Sequence, residues 1–196
     1  MQFWINVVLM LLTVAQGRPA GWQVRSDRPG LLASEPYFVS VNSGWHITTG
    51  PSVLAYQPAS TAKGTYRLES EILLFPGERN EGYGLFVGGN ALDSNNLSYT
   101  AFQLRQDGRF SIWSRTGTTT KDIVPWTPHP AIAAHKGGVD PVKNLIVIEV
   151  ETDSVTLRVN GRPVNVGRRS LIGVEGNFGF RVNENLNIQA TKLALQ

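Results

Sequence analysis

The chain has 196 residues, 41% hydrophobic and 17% charged, with 20 Gly, 11 Pro and no Cys. That length suits one domain with a substantial core, and the low charge with ample aromatics excludes wholesale disorder. A net charge of +3 is too small to indicate nucleic acid or an anionic membrane, and the lack of cysteine excludes disulfides, a cysteine zinc site and a thiol nucleophile.

Residues 1–17 carry no charged side chain, and 5–14 is a mostly apolar run. Ten helical residues span about half of a ~30 Å hydrocarbon core, so stable membrane insertion is not expected. The run has the length of a signal-peptide apolar region, and Ala15-Gln16-Gly17 supplies small residues for cleavage. The segment therefore reads as a signal peptide, with the mature protein starting at Arg18 and placed outside the cytoplasm, secreted or periplasmic. An exported chain without cysteines relies on its core, which fits bacterial export.

Residues 18–36 are rich in Pro and Gly and weakly patterned, an N-terminal linker or edge segment. From 37 to 196 apolar residues alternate, with turn residues roughly every eight to twelve positions, the pattern of a single all-β sandwich. Strands are predicted over 44–49, 53–57, 65–75, 83–88, 97–105, 109–116, 121–124, 144–152, 155–160, 163–166, 178–183 and 186–195. No sustained helical spacing and no internal repeat interrupts this pattern.

Asn90, Asp93, Asn95 and Asn96 make an oxygen-rich loop after Gly88-Gly89. Calcium sites use several carboxylates and Asp93 is the single one here, so no cofactor is expected and calcium is the alternative. His46, His129 and His135 have no metal-ligand spacing. A phosphate loop and a Gly-x-Ser-x-Gly elbow are both absent.

The hairpin across Gln106-Asp107-Gly108 can be registered from pattern alone. A three-residue loop with a left-handed Gly pairs Leu104 with Phe110 and Phe102 with Ile112, one apolar face. The opposite face then pairs Tyr99 with Arg115, Ala101 with Trp113, Gln103 with Ser111 and Arg105 with Arg109. Tyr, Trp, Gln and several Arg are unusual on a sheet exterior. They suit a sugar, whose C–H face matches an aromatic ring and whose hydroxyls match planar polar groups. Arg181 and Asn183 alternate with Phe178, Phe180 and Val182 and would extend that face. A covering layer over it, with Trp113 simply buried, is the competing expectation.

Trp126-Thr127-Pro128-His129-Pro130 reads as a loop stiffened by its prolines, either a binding rim or a plug at one end of the sandwich. For 145–152 against 155–160, a two-residue Asp153-Ser154 loop pairs Val150 with Leu157 and Glu149 with Arg158. Glu149, Glu151 and Asp153 therefore read as a solvated hairpin, not as a glycosidase pair. Asn160-Gly161 is a strong turn signal.

Asn144-Leu145-Ile146-Val147, Val155-Thr156-Leu157-Arg158-Val159-Asn160-Gly161 and Gly176-Asn177-Phe178-Gly179-Phe180-Arg181-Val182 together resemble the closing strands of concanavalin A-like jelly rolls of the laminin-G type. They are also similar to the secreted bacterial 3-keto-disaccharide hydrolase family. The resemblance covers about 45–195 and implies two packed antiparallel sheets, a fold that hosts lectins, hydrolases, lyases and adhesion modules. The hydrolase resemblance implies a base that removes a proton beside a carbonyl. That family's Gly-Tyr-Glu strand is matched here by Tyr99-Thr100-Ala101-Phe102-Gln103, without the glutamate, leaving His129 as the substitute catalytic candidate.

The expectation is an exported β-sandwich that binds carbohydrate on one sheet. Tyr99 and Trp113 would stack on sugar rings, and Gln103, Arg105, Arg115, Arg181 and Asn183 would bond hydroxyls or carboxylates. Trp126 and His129 would form the rim, and the arginines lean toward acidic glycans. The alternatives are a glycoside or 3-keto-glycoside hydrolase and a structural or adhesion module docking a protein partner.

Overall fold

The computed structural model describes residues 17–27, 36–41, 44–191 and 193–196. Residues 1–16, nearly all of the expected signal peptide, lie outside them. The described residues form β1 (Gln23–Ser26), β2 (Tyr37–Val41), β3 (Gly44–Thr48), β4 (Val53–Ala62), β5 (Tyr66–Leu74), β6 (Tyr83–Asn90), β7 (Ser98–Leu104) and β8 (Arg109–Thr116). They continue with β9 (Thr119–Pro128), β10 (Val142–Val150), β11 (Ser154–Val159), β12 (Arg162–Arg168), β13 (Gly176–Val182), β14 (Asn187–Thr191) and β15 (Ala194–Leu195). A 3-10 turn at Arg169–Leu171 is the one helical element among them.

Two antiparallel sheets face each other. The seven-stranded sheet runs β1-β4-β13-β6-β7-β8-β9; the eight-stranded sheet runs β12-β11-β10-β5-β14-β3-β2, with β15 also on β5. Strand β5 shows why they pack. Tyr66, Leu68, Ser70, Ile72 and Leu74 are buried and alternate with half-exposed Arg67, Glu69, Glu71 and Leu73, the period of a sheet with one face inward. The opposing sheet answers with Phe102, Leu104, Phe110, Ile112, Phe180 and Val182 in the same core. Fully burying each such side chain contributes about 1.5–3 kcal/mol.

The β7–β8 hairpin has the expected register: Leu104 opposes Phe110, Phe102 opposes Ile112, and Tyr99 opposes Arg115. Gly108 sits at φ 78°, and the loop closes through Arg105 N–H to Arg109 O at 2.9 Å. Asn160 and Gly161 both have positive φ, 51° and 79°, and join β11 to β12 in a tight turn.

Two expectations about register and extent are corrected. Val150 opposes Val155, not Leu157, so β10 and β11 are offset by two residues from the predicted pairing. The reversal is a two-residue loop, Thr152-Asp153, one position earlier than predicted and closed by Glu151 N–H to Ser154 O at 2.9 Å. An offset of two preserves every inward face, so hydrophobic alternation could not detect it. Glu149 still receives Arg158 Nε at 2.6 Å, now diagonally. Second, Trp126, Thr127 and Pro128 belong to a strand: β9 runs on to Pro128 at the sheet margin, with irregular register against β8. Edge strands and bulges are where proline's missing N–H is tolerated.

Strands β1 and β2 were not predicted as such. Within the segment expected as linker or edge, Gln23–Ser26 pairs with β4 as the sheet's outer strand.

Candidate functional site

The outward face of the seven-stranded sheet holds most of the residues singled out above, but it is not an open platform. Leu54, Tyr56, Phe86, Tyr99 and Ala101 form a second apolar cluster, closed by Leu92 and Leu97 from the connection between β6 and β7. Tyr99 is 2% exposed, with Phe86 and Trp113 edge-on at 5.6 and 5.5 Å. Its ring therefore offers no face to a sugar, contrary to expectation. Two leucines in the loop needed burial, and the aromatic exterior supplied it. Burial raises the Tyr99 phenol's pKa, while the Arg181 charge opposes it.

Beside that cluster, four side chains form a directed chain. Trp113 Nε1 donates to Gln103 Oε1 at 2.8 Å. Gln103 Nε2 donates to Asn183 Oδ1 at 3.0 Å, and Asn183 Nδ2 donates to a Glu81 carboxylate oxygen at 3.2 Å. An indole can only donate and a carboxylate can only accept, so the two ends fix the orientation of both amides between them. Glycine makes the crossing possible. A Cβ on Gly82, just before β6, would lie 2.9 Å from the Gln103 amide, which reaches past it to Asn183 at the end of β13. Gln103 itself is 1% exposed, so it orients its neighbours and does not present itself.

Two of the arginines converge on one carboxylate. Arg115 Nη1 meets Asp27 Oδ1 at 2.6 Å, and Arg181 Nη2 bonds the other oxygen of the same carboxylate. Arg181 is buried, and its guanidinium lies 5.5 Å from the Trp113 ring centre. Its Nε and Nη1 have no hydrogen-bond partner. The two cations thus share one anion, which offsets part of their charge. Asp27 follows β1, and no sequence signal tied it to arginines 88 and 154 positions away.

At the hairpin end, Arg105 lies over the Trp126 ring at 4.6 Å and pairs with Asp107. Burial opposes ionisation of Asp107, but hydrogen bonds from Arg105 and Asn80 outweigh it and hold the carboxyl below its ordinary range. His129 follows β9, and its backbone N–H donates to Gly108 O of the hairpin loop at 3.1 Å. Its ring meets Phe110, a residue of the inner core, edge-on at 6.4 Å, and its Nδ1 accepts the Ala131 N–H at 3.2 Å. The imidazole thus shapes a turn at the end of the sandwich through its Nδ1.

The structure thus brings together Trp113, Gln103, Asn183, Arg181 and Arg115, adds Asp27 and Glu81, and places Arg105 with Trp126. The members that reach the surface are the half-buried Trp113, Asn183, Glu81, Arg105 and Trp126. They combine aromatic surface with oriented donors and acceptors, which is the chemistry of hydroxyl-rich ligands. In the loop of the calcium alternative, Asn90 Nδ2 bonds backbone carbonyls of Gly88 and Glu175. Among the described residues no group of three or more His, Asp or Glu could hold a metal ion.

The structure is similar to the carbohydrate-binding module CBM66 from Bacillus subtilis, with TM-score 0.65 and 15% identity over 90% of this chain and 95% of that one. It is also similar to a GH16 protein of a Bacteroides ovatus mixed linkage glucan PUL, solved with a G4G4G3G product. There the TM-score is 0.63 and the identity 8%, over 92% of this chain and 96% of that one. Sheep galectin-11 in complex with glycerol aligns at TM-score 0.51 and 14% identity, over 80% of this chain and all of its own. The chain therefore has the concanavalin A-like jelly-roll fold. No protein-family model matches it, and no curated protein matches it in sequence.

Proposed function

We propose that this protein binds carbohydrate on the outward face of its seven-stranded sheet, at the surface between Trp113 and Trp126. The observation that carries the reading is the Trp113–Gln103–Asn183–Glu81 chain. It holds a partly exposed indole, an amide and a carboxylate in fixed orientations without committing all of their bonding capacity. Glu81 keeps an acceptor for a sugar hydroxyl, and the Trp113 ring supplies an apolar wall. Similarity of fold to a carbohydrate-binding module, a galectin and a GH16 protein supports the same reading.

The ligand class that fits is neutral, because Asp27, Asp107 and Glu81 together balance Arg105, Arg115 and Arg181. A glycan array followed by calorimetry tests this. Trp113→Ala should weaken binding to the best glycan at least tenfold while the variant remains folded, about 1.4 kcal/mol or more. Absence of binding to any glycan, or unchanged affinity in the folded variant, overturns the reading.

A further inference from the structure

A second concavity lies away from that face, where the two sheets part at one edge. A cleft of about 540 Å³ opens between β4 and the β3/β15 side of the sandwich, within the range of small-molecule sites. Trp22 and Trp45 stand in it with ring centres 4.8 Å apart, tilted by 58°, and Trp22 stacks on Phe180 at 5.9 Å. Rings held in this way form a wedge, not a flat platform.

The lining is chemically one-sided. Phe178, Leu193 and Leu195 continue the apolar wall made by the two indoles, whereas Gln57, Ser60 and Thr61 supply the polar groups and all belong to β4. Gln57 is the telling residue. It follows Val53 and Ala55 on the inward side of β4, where the alternation calls for an apolar residue, and its amide oxygen accepts Ser60 Oγ at 3.0 Å. A polar amide at the mouth of a core is an exception of the kind that marks function. Among the described residues no charged side chain lines the cleft.

From this asymmetry we infer that the cleft binds a neutral amphipathic small molecule, an aliphatic or aromatic body with a hydroxyl or carbonyl head. The body lies among Trp22, Trp45 and Phe178, and the head meets Gln57, Ser60 and Thr61. A sugar ring carries hydroxyls around its whole rim and would leave those on the leucine side without partners. A carboxylate or ammonium would find no counter-charge among the described residues.

The test uses the full chain and the uncharged fluorophore N-phenyl-1-naphthylamine, with 1-decanol and glucose as competitors. The expected result is saturable, blue-shifted emission that decanol displaces and glucose does not. Leu195 and Thr61 are both exposed at the rim, so Leu195→Lys and Thr61→Trp should keep the melting temperature while weakening the probe at least tenfold. Trp113→Ala should leave probe binding intact, which separates this site from the glycan face. Lack of saturable binding, displacement by glucose as effective as by decanol, or full affinity in both folded rim variants would overturn the inference.

Discussion

Gln103 illustrates how much a single amide can organise. It is buried, and its two ends serve different masters: the oxygen takes the Trp113 indole proton and the nitrogen gives to Asn183. Gln103→Glu would keep the shape and the indole bond, but it would turn the Asn183 amide so that its oxygen faces Glu81. The expected outcome is a loss of about 1–3 kcal/mol in urea denaturation, with weakened glycan binding. A variant as stable as the parent would show that the order of donors along the chain carries no energy. Tyr99 teaches the complementary lesson. Its outward direction was legible from the three-residue loop, yet Leu92 and Leu97 cover it, because alternation reports which side a residue faces and says nothing about what folds over that side.

At the scale of elements, the hairpins separate what pattern can specify from what it cannot. The β7–β8 pairing was legible because a glycine in a three-residue loop admits one register. The β10–β11 pairing was misread by two residues because both registers bury the same side chains. Turn glycines should therefore differ measurably from one another. Gly108 and Gly161 both have φ near +78°, and an alanine at either costs about 1–2 kcal/mol in the left-handed region. An added Cβ at Gly108 would also lie 3.2 Å from Ala134 Cβ, whereas at Gly161 it meets open space. Gly108→Ala should lower the denaturation midpoint further than Gly161→Ala; the reverse order would contradict the tight packing of the loop.

For the molecule as a whole, buried tyrosine hydroxyls tie separate parts of the sandwich together. Tyr83 on β6 receives Asn144 Nδ2 of β10 at 3.1 Å, and Tyr66 on β5 donates to Val174 O at 2.6 Å. Burial pushes the Tyr83 phenol up to about 12, with the Asn144 hydrogen bond opposing, and raises Tyr66 as well. Between pH 10 and 12 the unfolded chain loses these protons while the folded chain keeps them. Stability is thus fully present below pH 10 and falls as pH rises, by about 1.4 kcal/mol per unit for each tyrosine in its window. Urea denaturation at pH 9, 10 and 11 should show this slope, and Tyr83→Phe should flatten part of it. A parent protein of constant stability across that range would contradict the burial.

The alternation of apolar residues and the spacing of turn residues determined the all-β class, most strands and the inward face of each, since these depend on neighbours two to ten positions apart. The tertiary structure decided which outward faces are covered, that Asp27 bridges Arg115 and Arg181, and that Glu81 ends the chain begun at Trp113. Those outcomes join residues tens to more than a hundred positions apart. Such contacts arise from packing and charge pairing in space, which leave no periodic trace along the chain.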